Sequence, residues 1–273
     1  MQDTSALARI VDLVRDLRRR CPWDGAQTPQ TLRPYLVEEA LELDHALGTG
    51  SDAAIRDELG DLLLHIAFQI VLGEERGAFG TEDVVVALER KMWRRHPQLF
   101  PAPAAEAAGR ADDSHANWER NKLAERPVGG PGVLDGLPPN LPALIMALRL
   151  QERAAGVGFD WPDAAGPLAK IGEELEELRA EVDPNGARRA EEGRGGASSE
   201  RVEHEIGDVL FSVVNLARKL GSDPRAALER ANKRFLERFR LVERLAAERG
   251  VEIGQAGLDE LDRLWEETKE EKG

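Results

Sequence analysis

Apolar residues recur three and four positions apart along most of the chain, and no stretch sustains the alternation that marks a strand. Ile10, Val11, Val14 and Leu17 share one helical face and run into Arg18-Arg19-Arg20, whose charge suits a helix C-terminus. Cys21-Pro22-Trp23-Asp24 stops that helix. Thr31 is expected to cap a second helix running to Gly48, Ser51 a third ending near Gly77, and Thr81 opens a fourth that ends before His96-Pro97. Helical periodicity returns at Ala143. The pattern predicts an all-α protein.

Three stretches break the pattern. Pro101 to Ala116 is rich in Ala, Pro and Asp, and Arg126 to Pro142 in Pro and Gly, so both read as linkers. Asp183 to Ser199 reads as an exposed, mobile insertion. Across these breaks a composite motif recurs in order. Glu38-Glu39-Ala-Leu-Glu42 followed by Glu58-Leu-Gly60-Asp61 in the first half is echoed by Glu173-Glu174-Leu-Glu-Glu177 and Glu205-Ile-Gly207-Asp208 in the second. Trp118-Glu-Arg-Asn-Lys122 follows Asp61 at the interval at which Trp265-Glu-Glu-Thr-Lys269 follows Asp208. The recurrence predicts two related helical domains, residues 1–125 and 143–273, joined by a linker over 126–142.

Composition narrows the function classes. The chain has 273 residues, 41% of them apolar and 32% charged, which is enough to build a core. Its formal charge of -14 argues against binding nucleic acid through the phosphate backbone. Its one cysteine, Cys21, excludes an intramolecular disulfide and a four-thiolate zinc site within one chain. The apolar stretch Leu62 to Leu72 is too short to span a bilayer, and Met1-Gln2-Asp3 carries no export signal, so the cytoplasm is the expected location.

Residues three and four apart share a helix face. Glu173 and Glu174 therefore stand with Glu177, Glu205 with Asp208, Glu38 and Glu39 with Glu42, and Glu58 with Asp61. Alone, such a set is usually a solvated face. Here the helices that follow Asp61 and Asp208 are apolar nearly all round, which predicts burial and puts the acids at a core edge. Gly60 and Gly207 beside them predict a close approach by a helix or a ligand. Converging carboxylates need a cation or protons. An all-oxygen ligand set selects magnesium, with manganese as a substitute, and magnesium keeps open positions for substrate phosphates. Lys170 stands one turn before Glu174, where the first half has Tyr35. Arg234 and Arg238 share a face, and Trp265 offers a stacking surface. Glu42-Leu-Asp-His45 has the spacing of a di-iron bundle ligand pair, but Ala180 takes the place of a second histidine.

Cys21-Pro-Trp-Asp24 with Gln27-Thr28, Tyr35-Leu-Val-Glu38-Glu39, Glu58-Leu-Gly-Asp61, Arg94-Arg95-His96-Pro97, Gly158-Phe-Asp-Trp161, the second acidic set and Val214-Asn215-Leu-Ala-Arg218 together resemble the MazG family of the all-α nucleoside triphosphate pyrophosphatase superfamily. The resemblance implies tandem four-helix-type domains, a homodimer, and magnesium-dependent hydrolysis of NTPs and dNTPs to monophosphate and pyrophosphate. It implies metal ligands Glu174, Glu177, Glu205 and Asp208, and nucleotide contacts from Lys170, Arg234, Arg238, Trp265 and Lys269. Glu173, adjoining the ligand pair, is then the expected water-orienting group. The C-terminal domain is the expected catalyst, while the complete N-terminal set Glu38, Glu39, Glu42, Glu58 and Asp61 keeps a second site open. The competing reading is a helical regulatory or scaffold protein.

Overall fold

The computed structural model describes residues 6–96, 99–100, 132–182 and 196–270. All regular structure among them is helical. The chain divides into two compact units, Met1–Ala111 and Asp112–Gly273. Pro101 to Ala116, Trp118 to Lys122 and residues 126–131 of the expected linker lie outside the described residues.

The first unit contains α1 (Ala6–Arg20), the single turn α2 (Pro22–Gly25), α3 (Pro29–Thr49), α4 (Asp52–Glu75) and α5 (Thr81–Arg95). The second helix starts earlier than expected. Thr28 is its N-cap, and Thr31 is the reciprocal partner that accepts from the Thr28 N–H, a capping box built from two threonines. It also ends later, on Gly50 in the left-handed conformation at φ 71°, which glycine adopts without a Cβ clash. Ser51 caps α4 as expected. α3 packs against α4, and α1 packs against α4 and α2. Val11, Val14, Leu32, Ala67, Phe68, Val71 and Leu72 form the core between them. Two charge pairs close its rim, Arg15 with Glu74 at 2.8 Å and Arg18 with Glu75 at 2.6 Å.

The second unit contains α6 (Ala143–Gly156), α7 (Ala165–Glu181), α8 (Gly196–Lys219), α9 (Pro224–Glu248) and α10 (Leu258–Glu270). α7 and α6 both pack on α8, and α9 pairs with α10. Val242, Ala246 and Leu264 are the buried heart of that hairpin, with Leu245, Leu261 and Trp265 packed around them. Of the insertion expected over Asp183 to Ser199, residues 183–195 lie outside the described residues, while Gly196–Ser199 are the first turn of α8 and not a loop.

One expectation holds for one helix and fails for the other. After Asp61 the helix is buried nearly all round, with Ala67, Phe68, Ile70, Val71 and Leu72 buried and Ile66 exposed. After Asp208 it is buried along one stripe, with Val214 buried but Leu210, Phe211 and Val213 exposed. There a layer of two or three helices covers one side of the central helix and leaves the other bare. Gly60 and Gly207 lie on exposed positions, and a Cβ at either would meet nothing within 4 Å. Among the described residues no close approach to these glycines occurs.

Candidate functional site

The structure brings some residues of each acidic motif together and leaves others apart. In the second unit, α7 supplies Glu174 and Glu177 and α8 supplies Glu205. One carboxylate oxygen from each lies within 4.8 Å of the other two. Glu174 is only 5% exposed, so the cluster has a buried floor. Glu205 Oε2 is buried and has no hydrogen-bond partner. Burial, and then the charges of Glu174 and Glu205, raise the pKa of Glu177 above the ordinary carboxylate range. An orphaned carboxylate oxygen among crowded acids is a donor set that a hard divalent cation satisfies.

Asp208 does not join that triad. Its Oδ2 lies 3.3 Å from Nε2 of His204, and its side chain lines the neighbouring cavity. Glu173 points to the exposed side and accepts from Lys170 Nζ at 2.7 Å. The same ammonium lies 2.8 Å from Glu174, and donating first to Glu173 and then to Glu174 raises its pKa.

The cavity beside the triad has a volume of about 420 Å³. Lys170, Glu174 and Asp208 form its charged wall, and Phe159, Trp161 and Phe211 contribute aromatic surface. Two motifs that the sequence offered only as marks of resemblance meet here. Asp160 accepts from Arg218 at 2.5 Å and from Lys219 at 3.1 Å, while Arg218 also donates to Asn215 Oδ1 at 2.7 Å. Lys219 Nζ donates to the Trp161 carbonyl at 2.5 Å. The loop 158–161 is thus bolted to the C-terminal end of α8. Gly166 has a second part in this, since a Cβ there would come within 2.0 Å of Trp161 Cδ1. Only glycine lets the indole lie against the start of α7.

The remaining expected nucleotide contacts stand elsewhere in the unit. Arg238 lies over the Trp265 ring at 5.1 Å, and Phe235 packs on the same ring at 5.2 Å. Lys269 pairs with Glu266 one turn away on α10. Arg234 sits on α9 one turn before Arg238. None of these four lines the cavity.

The first unit repeats the acidic geometry with a different neighbourhood. Glu39, Glu58 and Asp61 bring carboxylate oxygens within 4.8 Å of one another. Glu38 and Glu42 are not part of that triad; they line a groove with His45 and Glu58. Burial, then the charges of Asp61 and Glu42, raise the pKa of Glu39. Where the second unit has Lys170, this one has Tyr35, stacked on His65 at 6.2 Å, with His65 Nε2 3.7 Å from Glu39. His65 was visible in the sequence only as a polar break in an apolar run.

Comparison with known proteins points to one family. The family model of the MazG nucleotide pyrophosphohydrolase domain matches residues 27–100, which include the first acidic triad. The chain is 38% identical over 262 residues to the nucleoside triphosphate pyrophosphohydrolase/pyrophosphatase MazG of Thermotoga maritima, covering 95% of this chain and 94% of that one. It is 37% identical over 273 residues to the nucleoside triphosphate pyrophosphohydrolase of Escherichia coli K12, covering 100% and 99%. A partial match, 34% over 162 residues, covers 48% of the nucleoside triphosphate pyrophosphohydrolase of Mycobacterium tuberculosis. With likeness over essentially its whole length, the chain belongs to the MazG family of nucleotide pyrophosphohydrolases.

Proposed function

We propose that this protein hydrolyses nucleoside triphosphates, ribo and deoxy, to the monophosphate and pyrophosphate, and that the second unit is the working one. The single observation that carries the reading is the triad Glu174, Glu177 and Glu205, with its unpartnered buried oxygen, set beside a cationic lysine and a cavity of ligand size. Magnesium, or manganese in its place, suits an all-carboxylate donor set. Glu174, Glu177 and Glu205 would hold it, with Asp208 one turn further along α8. When bound, it supplies charge neutralisation at the phosphate oxygens and acidifies a water molecule.

The chain's own residues do the rest. In this reading Glu173 turns inward from its exposed ion pair with Lys170 to orient a water and take its proton. The water oxygen attacks the α-phosphorus in line, the bond from that phosphorus to the oxygen bridging to the β-phosphorus breaks, and pyrophosphate leaves. Lys170 meets the charge that develops on the departing oxygens. Its ion pairs to Glu173 and Glu174 hold the ammonium in place before substrate arrives. In this reading Arg234, Arg238, Trp265 and Lys269 add nucleotide contacts from the α9–α10 hairpin.

A homodimer fits the same picture. Ile206, Leu210 and Val213 share one exposed face of α8, and Leu168 and Leu175 are exposed on α7. Apolar surface of this extent beside a site marks an association face. No helix among the described residues is long and apolar enough to cross a membrane. The relatives named above carry the pyrophosphohydrolase activity in their names, and that supports the enzyme reading over a scaffold. In neither acidic triad does a histidine take part, which weighs against a di-iron centre. The test is pyrophosphate release from a mixture of dNTPs with magnesium, set against the same protein in chelator. Release only with magnesium supports the reading; orthophosphate as the product overturns it.

A further inference from the structure

A residue lining the cavity beside the second triad carries a buried acceptor that no described residue uses. Gln151, on α6, is 5% exposed. Its Nε2 donates to the Phe211 carbonyl on α8 at 2.8 Å. That bond settles which end of the amide is nitrogen, because the reversed amide would set two oxygens against each other. Gln151 Oε1 therefore faces the other way, buried and without a partner. Gln151 also lines the cavity. A buried, unsatisfied acceptor is costly in an empty protein and valuable in a site where a ligand supplies the donor.

The rest of the cavity is arranged to receive such a ligand. Its volume of about 420 Å³ falls in the range of small-molecule sites. Lys170, Glu174 and Asp208 stand on its wall, so the phosphate-handling groups open into the same space. Phe159 is 82% exposed, an aromatic ring held in water by a loop that Asp160, Arg218 and Lys219 fix in place. Trp161, seated on Gly166, is the second ring. Exposed aromatic rings on an anchored loop are a stacking surface whose ordering cost is already met.

We propose that this cavity takes the nucleobase of the substrate, between the Phe159–Trp161 loop and α6, and that Gln151 Oε1 accepts a hydrogen bond from a base N–H. The assignment rests on the triphosphate reading given above. It makes Gln151 a substrate-recognition residue that tells a base bearing an N–H from one without. Since every common base carries such a donor, it implies a pocket tolerant among natural nucleotides.

The test compares two non-hydrolysable ligands, the α,β-methylene analogues of ATP and of purine riboside triphosphate, whose unsubstituted base has no N–H. Calorimetry with magnesium should give the ATP analogue a Kd about tenfold or more lower. In Gln151→Met that preference should vanish, while Phe159→Ala should weaken both analogues about equally. Magnesium pyrophosphate should bind wild type and Gln151→Met within about twofold, which separates loss of base recognition from a damaged fold. Equal affinity of the wild type for the two analogues, as a water bound to Oε1 would give, overturns the proposal, and so does a preference that survives in Gln151→Met. Failure of the hydrolytic reading looks different: no pyrophosphate from ATP, whatever the analogue preference.

Discussion

Lys170 Nζ lies 2.8 Å from Glu174 Oε1, one helical turn away, and Glu174 is buried while the lysine reaches solvent. A cation is thus held at the mouth of an acidic pocket by an acid of that pocket. Because the half-buried lysine is paired with the buried Glu174, Lys170→Met should lower the thermal midpoint by leaving that carboxylate without its cation. Turnover should fall by about 10²–10³, the scale of losing one group that meets transition-state charge. Steady-state pyrophosphate release together with a melting curve checks both halves.

Glu205 Oε2 is buried and has no hydrogen-bond partner. Glu205→Gln keeps the shape, removes one charge from the crowded triad and weakens the cation's ligand set. The variant should melt at the same temperature as the wild type or higher without metal, and should lose the stabilisation of a few degrees expected from millimolar magnesium. Differential scanning calorimetry with and without magnesium decides; an undiminished magnesium shift would take Glu205 out of the site.

Much of this geometry could be read from the chain beforehand. Helical spacing put Glu174 with Glu177 on one helix and Glu205 on another, and the structure adds that the two helices bring these acids together. Asp208 stands one turn along α8, outside the 4.8 Å triad, where periodicity cannot resolve depth. Burial of the whole of α8 was the wrong inference, since periodicity reports apolar faces but not how many of them the same chain covers. Gln151 gave no signal at all. Its role depends on a hydrogen bond to a main-chain carbonyl sixty residues away, and no local pattern encodes that.

Asp160 should govern the acid limit of the second unit. Burial alone would raise its pKa, but hydrogen bonds from Arg218 and Lys219, and their charges, outweigh it and hold the value below the ordinary one. A depressed folded-state pKa adds stability that is present above the unfolded value of about 3.9 and is lost as pH falls through the folded one. Asp160→Asn should therefore cost about 1–3 kcal/mol at neutral pH. That difference should shrink as pH is lowered from about 5 to 3. Urea unfolding across that range tests it, and a gap that widens toward acid would contradict it.

A Cβ at Gly166 would strike Trp161, so Gly166→Ala must move the indole. Affinity for nucleotide should drop about tenfold, in line with a displaced stacking surface, while affinity for magnesium pyrophosphate holds. Quenching of tryptophan fluorescence by nucleotide, compared with calorimetry of pyrophosphate, provides the check.

Among the described residues there are two acidic triads, and the second has a lysine and an aromatic-walled cavity beside it. The most direct measurement is therefore a ³¹P NMR time course of ATP with magnesium for the wild type, for Glu174→Gln/Glu205→Gln, and for Glu39→Gln/Glu58→Gln. The wild type should yield AMP and pyrophosphate, the second-unit variant neither, and the first-unit variant more than about half the wild-type rate. Full turnover by the second-unit variant, or ADP and orthophosphate from the wild type, would contradict the account.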